Sequence, residues 1–389
     1  VLGRAGLGAV LADDMGLGKT VQILAHLAEV CEGPHGPSLV VAPTSVLLSW
    51  IDQLERFAPH LDVAVWYGPS RGALREKLRT ADVVLTSYAL LRRDAGDLTA
   101  IDWQVAILDE AQAIKNTKTQ FADVARQLRA KQRIAVTGTP LENHLGELWS
   151  IASYALPGSL GSERAFRAAF RLPIEKQGDR ARLESLRKRL APVLLRRTKE
   201  EVAKDLPTKT LIEHPIELDD AQRDLYETIR SSVEKRVRDE IAKKGVDRAR
   251  IIVLDALLKL RQVCCDPRLL KVSAAKRAAP SAKLEALEEL LSTLVQEGRR
   301  VLLFSQFVEM LELISNAMGR LGIAHEMLTG STRDRARAVR RFTEGEVPVF
   351  LISLKAGGTG LNLVEADTVI HYDPWWNPAV EAQATDRAH

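Results

Sequence analysis

Short, unbroken apolar runs set between stretches of helical character constrain this chain more than any other feature. They occupy residues 9–13, 38–43, 83–88, 105–109 and 133–137, and again 301–307, 349–353 and 368–372. A strand with one face in water alternates apolar and polar residues, whereas a strand covered on both faces does not. These runs mostly do not alternate, so they predict parallel strands buried between helices. Helical segments such as residues 20–31 separate them, which gives repeated βαβ units.

The middle of the chain reads differently. Leu225, Ile229, Val233, Val237 and Ile241 recur every four residues, an amphipathic helix stripe. Leu284, Leu287, Leu291 and Leu294 follow a 3-4-3 spacing. Strand-like runs are sparse from about residue 145 to residue 282, and segments near Gly245 and over 273–280 read as loops. A chain of 389 residues is long enough for two to three domains. The expected fold class is therefore α/β: one lobe over 1–145, a mostly helical region over 146–281, and a second lobe over 282–389.

Composition excludes some classes. With 46% apolar and 27% charged residues the chain can bury a core, so disorder is not its dominant state. No run approaches eighteen apolar residues, so no membrane-spanning helix is expected. Three cysteines, two of them adjacent (Cys264, Cys265), are not expected to make a disulfide framework or a four-ligand zinc site, which fits a reducing compartment. A net charge of +4 is only mildly basic, but residues 176–209 hold eleven Lys or Arg against five Asp or Glu. That stretch reads as a solvated helix face or a polyanion contact. The chain begins at Val1 and ends at His389 inside a helical-looking run, so it is expected to be part of a longer protein.

Two stretches carry chemistry. Ala12-Asp13-Asp14-Met15-Gly16-Leu17-Gly18-Lys19-Thr20 follows a predicted strand and opens a predicted helix. Glycines let backbone N–H groups approach phosphate oxygens, and the helix start carries partial positive charge. Lys19 would reach the β- and γ-phosphates of a nucleotide and Thr20 would hold Mg2+. The consensus G-x-x-x-x-G-K-[ST] is not fully met, because its first position falls on Asp13. Val105-Ala106-Ile107-Leu108-Asp109-Glu110-Ala111-Gln112 is an apolar strand ending in two acids. Ligands of open α/β sheets bind at the carboxyl ends of strands. There Asp109 can hold Mg2+ through water and Glu110 can polarise an attacking water.

Taken in order, these and further motifs resemble the motor core of Swi/Snf-type DNA-dependent ATPases of helicase superfamily two. Residues 13–20 resemble the family's nucleotide loop, and Val41 to Trp50 its next motif. Asp109–Gln112 is a DEAH-like box in DEAQ form, and Thr137–Asn143 resembles the third motif. Leu195-Arg196-Arg197-Thr198-Lys199, followed by Asp205-Leu206-Pro207, resembles the inter-lobe segment. Phe304–Phe307, Ala356–Leu363, Asp373–Pro378 and Gln383–His389 complete the series. The likeness spans essentially the whole chain, and the DEAQ form with short middle insertions looks more like the prokaryotic branch.

The resemblance implies two RecA-like lobes that bind ATP and Mg2+. Lys19, Asp109, Glu110 and Arg387 would be catalytic. Asp14, Met15, Gly16, Leu17, Gly18, Lys19, Thr20, Gln112, Gly360 and Gln383 would contact the nucleotide, and Thr20 and Asp109 the metal. It implies double-stranded DNA and the proteins bound to it as partners, with Thr44, Ser45, Thr86, Ser87, Gln306, Lys355 and Thr359 as candidate phosphate contacts. Arg196 and Arg197 would brace the lobes or approach DNA. Trp375 and Trp376, flanked by prolines, read as a packed corner of the second lobe rather than a base-stacking platform. The family's last motif carries a further arginine after His389, so weak or no turnover is expected of residues 1–389 alone. The implied function is an ATP-driven translocase on double-stranded DNA; a strand-separating helicase and a non-hydrolysing DNA-binding scaffold are the alternatives. A cytoplasmic, nucleoid-associated location is expected for a prokaryotic protein and a nuclear one for a eukaryotic protein.

Overall fold

A computed structural model of the chain describes residues 7–44, 46–117, 119–138, 145–202, 210–270, 281–357, 363–376, 378–386 and 388, with side chains 243, 244, 246–250, 355, 357, 378, 379 and 383 left aside. The described residues up to 202 form one compact unit and those from 210 onward a second.

The first unit is built on seven strands: β1 (Ala9–Leu11), β2 (Ser38–Ala42), β3 (Val63–Trp66), β4 (Val83–Ser87), β5 (Asp102–Leu108), β6 (Arg129–Val136) and β7 (Leu194–Leu195). All pair in parallel, in the order β3-β4-β2-β5-β6-β1-β7. The unbroken apolar runs are explained by burial on both faces. Leu39, Val41, Val84, Ala106 and Leu108 enter one core with Ile151, Tyr154 and Phe166. Their chain neighbours Val40, Val83, Leu85, Val105 and Ile107 enter another with Leu24, Leu27, Trp50 and Leu54. Each large aliphatic buried this way contributes about 1.5–3 kcal/mol.

The second unit has four parallel strands, β8 (Val301–Ser305), β9 (His325–Leu328), β10 (Val349–Ser353) and β11 (Thr368–His371), in the order β11-β8-β10-β9. β8 and β10 are buried along their whole length. Leu284, Leu287 and Leu291 of the helix Ala282–Gln296 pack on one face with Val301, Leu303 and Leu351.

Strands β3, β7 and β9 escape the sequence pattern. β3 and β9 are edge strands, half-buried, and β7 is two residues long inside the basic stretch. The helical middle is also divided. Helices Leu145–Ala155 and Arg180–Leu190 join the first unit's core through Ile151, Tyr154, Leu186 and Leu190, and the Tyr154 hydroxyl donates to Ala106 O at 3.0 Å. Helices Asp220–Lys244 and Val246–Cys265 form a hairpin in the second unit, reversing at Gly245 with φ 77°. The four-residue stripe of the first of these is its partly buried side. Among the described residues, no helix is long and apolar enough to cross a membrane.

Candidate nucleotide site

β1 leaves the sheet at Leu11 and turns through residues 12–18 into the helix Lys19–Cys31. Gly16 (φ 85°) and Gly18 (φ 68°) make the turn, the second as the residue that starts the helix. Any other residue at Gly18 would be strained by about 1–2 kcal/mol, although space for a Cβ exists. Among the described residues no side chain caps this helix start and no acid lies in its first turn, the condition in which a helix start can accept an anion. Lys19 Nζ donates to Asp13 O (2.8 Å) and Asp14 O (3.0 Å). Burial pulls its ammonium below the ordinary lysine value, against the charges of Glu110, Asp109, Asp13 and Asp14, which hold the proton on.

The two acids stand at the carboxyl end of β5, electrostatically coupled to that ammonium. Asp109 is 8% exposed. Its carboxylate accepts from Trp50 Nε1 (2.8 Å) and from Glu110 N (2.9 Å), while the Tyr88 hydroxyl donates to its carbonyl (2.7 Å). Burial raises the Asp109 carboxyl above its usual range; Trp50, the Glu110 N–H and Lys19 oppose that. Glu110 has φ 50°, the only positive φ outside glycine among the described residues, a strained conformation of the kind held at functional sites. Its Oε2 accepts from Gln112 Nε2 (2.5 Å), and Gln112 Oε1 accepts from Thr137 Oγ1 (2.9 Å). Gln112 thus ties Glu110 to the end of β6. Beyond Thr137, a Cβ on Gly138 would sit 2.9 Å from Met15 Cγ and 3.4 Å from Lys19 Nζ, so three separate segments meet around the lysine.

The departure from the phosphate-loop consensus has a structural reason. Asp13 is fully buried and receives Arg197 through Nη2–Oδ2 (2.5 Å), Nε–Oδ2 (3.1 Å) and the backbone N–Oδ1 (2.9 Å). Burial alone would raise its carboxyl; the bonds from Arg197 and Gln22 outweigh it and hold it below the usual range. Arg197 therefore braces the nucleotide loop, a role the sequence leaves open.

Several expected contacts are revised. Thr86 is buried in β4 with its hydroxyl donating to Trp66 O (3.1 Å). Ser87 is buried and caps the helix Tyr88–Arg93, accepting from Leu90 N. Neither hydroxyl reaches a surface, so both are withdrawn as DNA contacts. Thr44 is exposed after β2. Gln306 follows β8 half-buried, its backbone N–H on Asp373 and its Nε2 without a hydrogen-bond partner. Ser45, Thr359, Gly360 and Arg387 lie outside the described residues, as do the side chains of Lys355 and Gln383.

In the second unit the expected packed corner holds only in part. Tyr372 and Asp373 are buried, but Trp376 is 61% exposed, with the Arg261 guanidinium over its ring at 4.8 Å. Asp373 accepts from Ser305 Oγ (2.5 Å) and Gln306 N (3.2 Å), with Arg261 at 3.9 Å.

The Asp109 carboxylate and the Thr20 hydroxyl are both hard oxygen donors, the chemistry that suits Mg2+. A second convergence lies elsewhere: Cys31, His35 and Asp82 each bring one ligand atom within 4.8 Å of the others, but His35 Nε2 and Asp82 Oδ1 already satisfy each other at 2.8 Å.

Comparison with known proteins gives matches over nearly the full length. The SNF2-related domain family matches residues 3–269, and the helicase conserved C-terminal domain matches 282–389. The chain is 42% identical over 400 residues to Bacillus subtilis YwqA, whose name assigns it to the ATP-dependent helicases and translocases; the match covers 100% of this chain and 43% of YwqA. It is 34% identical over 406 residues to the human SWI/SNF-related matrix-associated actin-dependent regulator of chromatin subfamily A member 1, covering 99% of this chain and 38% of that protein. The Sulfolobus solfataricus SWI2/SNF2 ATPase core in complex with dsDNA is similar with a TM-score of 0.53 and 36% identity, covering 100% of this chain and 81% of that one. The chain thus spans less than half the length of these two curated relatives.

Proposed function

This chain belongs to the SNF2-related family of ATP-dependent helicases, with two RecA-like lobes, and from that premise we propose that it is an ATPase motor that moves along double-stranded DNA and displaces proteins bound there. The observation that carries the reading is the meeting of a glycine-turned helix start, a buried lysine and two acids at the carboxyl end of β5. Phosphoryl transfer asks little covalent chemistry of a protein, so these groups act by position and charge. The N–H groups of the Gly16–Gly18 turn and Lys19 bind the phosphates. Glu110, held by Gln112, orients and polarises the attacking water. Thr20 and Asp109 would hold Mg2+, which neutralises charge on the phosphates when bound. The family's pattern adds Arg387, Gly360 and Gln383 as expected nucleotide contacts. DNA would be gripped chiefly through phosphates, with exposed Thr44 the described candidate.

The test uses the full-length protein. ATP hydrolysis should rise when double-stranded DNA is added and fall as salt rises, because phosphate contacts release counterions. Equal rates with and without DNA at low salt would refute DNA coupling. The motor should strip the third strand from a triplex while leaving a forked duplex closed. Fork opening would move the assignment to a strand-separating helicase, the type of activity the name YwqA leaves open.

A further inference from the structure

The nucleotide loop is not a free turn. The chain from residue 193 to residue 199 lies along β1 and continues past it beside the loop's entry. Val10 N donates to Val193 O (2.8 Å), Ala12 N to Leu195 O (2.7 Å) and Asp14 N to Arg197 O (3.0 Å). Lys199 N then donates to Asp14 Oδ2 at 3.1 Å. The ladder assigned to β7 is two residues long, but the hydrogen bonds run through the first two acids of the loop.

Arg197 closes this strap on both ends of the loop. Directly, it holds the buried Asp13 carboxylate. Indirectly, its Nη2 donates to Gln22 Oε1 (2.8 Å), and Gln22 Nε2 donates on to Leu17 O (2.9 Å), between the two turn glycines. Gln22 Nε2 also reaches Asp13 Oδ2 at 3.3 Å, which closes a ring of Arg197, Gln22 and Asp13. The carbonyls of Asp13 and Asp14, the residues the strap fixes, are the ones on which Lys19 Nζ rests.

We propose that Arg197 is a positioning residue for nucleotide binding: through Asp13 and Gln22 it sets the spacing of the two ends of the phosphate loop and the resting place of Lys19. The strap runs from β7 to the start of the helix Lys199–Val202, the last two elements before the chain passes to the second unit. Nucleotide affinity therefore depends on a segment about 180 residues downstream of the loop (residue separation 184 for Arg197 and Asp13). This rests on the ATPase reading given above and deepens it.

The experiment measures binding of a fluorescent ADP, thermal unfolding and steady-state ATP hydrolysis in the full-length protein. Arg197→Ala should weaken ADP binding about ten-fold or more and raise the KM for ATP by a similar factor, since bonds to a charged group are lost. Arg197→Lys should recover part of that loss, because one ammonium can replace the bonds of Nη2 but not the second bond that Nε of the planar guanidinium gives to Asp13. Asp13→Asn should match Arg197→Ala, and the double variant should be no worse than either, as members of one network are non-additive. Gln22→Leu, which removes the Leu17 link and the Gln22 bonds to Arg197 and Asp13 but leaves the direct Arg197–Asp13 pair, should weaken ADP binding less than Arg197→Ala does. If Arg197→Ala does not fold, Asp13→Asn and Gln22→Leu carry the test by themselves. ADP affinity and KM equal to wild type in folded variants, with only the melting temperature lowered, overturns the proposal and leaves Arg197 as a plain stabilising residue. Wild-type protein that binds no ADP would instead refute the ATPase reading.

Discussion

Each unit carries a buried aspartate just beyond the carboxyl end of a parallel strand, Asp109 after β5 and Asp373 after β11, and the two are put to different uses. Both are nearly inaccessible, and burial raises both carboxyls. Around Asp373 the neighbours complete a joint: Ser305 and the Gln306 N–H on the carboxylate, Arg261 beside it, and the Trp376 ring beneath that guanidinium. Around Asp109 the neighbours are those of the proposed nucleotide site: a lysine resting on two carbonyls, a strained glutamate and a helix start without a side-chain cap. A raised, buried carboxylate thus does not by itself mark a site. What marks it is the company of a glycine turn, which the loop after β8 (Gln306-Phe307) lacks.

Glu110→Gln should produce the largest difference between the two regions. We expect kcat for DNA-stimulated ATP hydrolysis to fall about 10²–10⁴-fold, the usual contribution of a general base, with ADP binding retained. Turnover within a few-fold of wild type would remove Glu110 from the chemistry. Asp373→Ala should act on stability. It strands the Gln306 N–H and leaves Arg261 without its nearby charge, at a cost of about 2–4 kcal/mol by denaturant unfolding. ADP affinity should stay within about three-fold, well under the tenfold that 1.4 kcal/mol represents. Lost ADP binding at unchanged stability would break the distinction between site and joint.

How much of this was legible depends on where each signal is written. Strands covered on both faces announce themselves as unbroken apolar runs, so β2, β4, β5, β8 and β10 could be read from residues alone. Edge strands such as β3 and β9 need only one buried side and show no such run. The glycine turn and the paired acids are local in sequence and were visible for that reason. The Asp13–Arg197 pair is separated by 184 residues, and nothing in either neighbourhood names the other. The only hint was the misfit of Asp13 with the loop consensus. Thr86 and Ser87 misled because a hydroxyl at a strand end looks the same whether it faces a phosphate or bonds its own backbone.

A smaller effect tests whether the site stores strain that the joint does not. Glu110 holds φ 50° and ψ 53°, where a side chain costs about 1–2 kcal/mol relative to glycine. Glu110→Ala and Glu110→Gly both lose the bond from Gln112, so comparing the two isolates the backbone. The glycine variant should be more stable by about 1 kcal/mol, and both should be inactive. Equal stabilities would mean that the turn relaxes once the carboxylate is gone.

The smallest effect concerns pH. Asp13 has its folded-state value below the usual carboxylate range, since the bonds from Arg197 and Gln22 outweigh its burial. A carboxyl depressed on folding contributes stability that is fully present above its unfolded value, about pH 4, and is lost as pH falls through the lower folded value. The stability gap between wild type and Asp13→Asn should therefore be flat from pH 5 to 8 and should narrow only in more acidic solution. The Arg197 side chain is 40% exposed, so solvent screens the charge term and the narrowing should be modest. Asp109 shifts the opposite way, so protonating it relieves a cost, and that relief comes as pH falls from its raised folded value to the unfolded value of about pH 4, just above the window in which the Asp13 brace weakens, so the two windows adjoin in one acid range. Unfolding curves of wild type, Asp13→Asn and Asp109→Asn across that range separate the two signs. A gap for Asp13→Asn that widens toward acid would mean that the brace is held by geometry and not by charge.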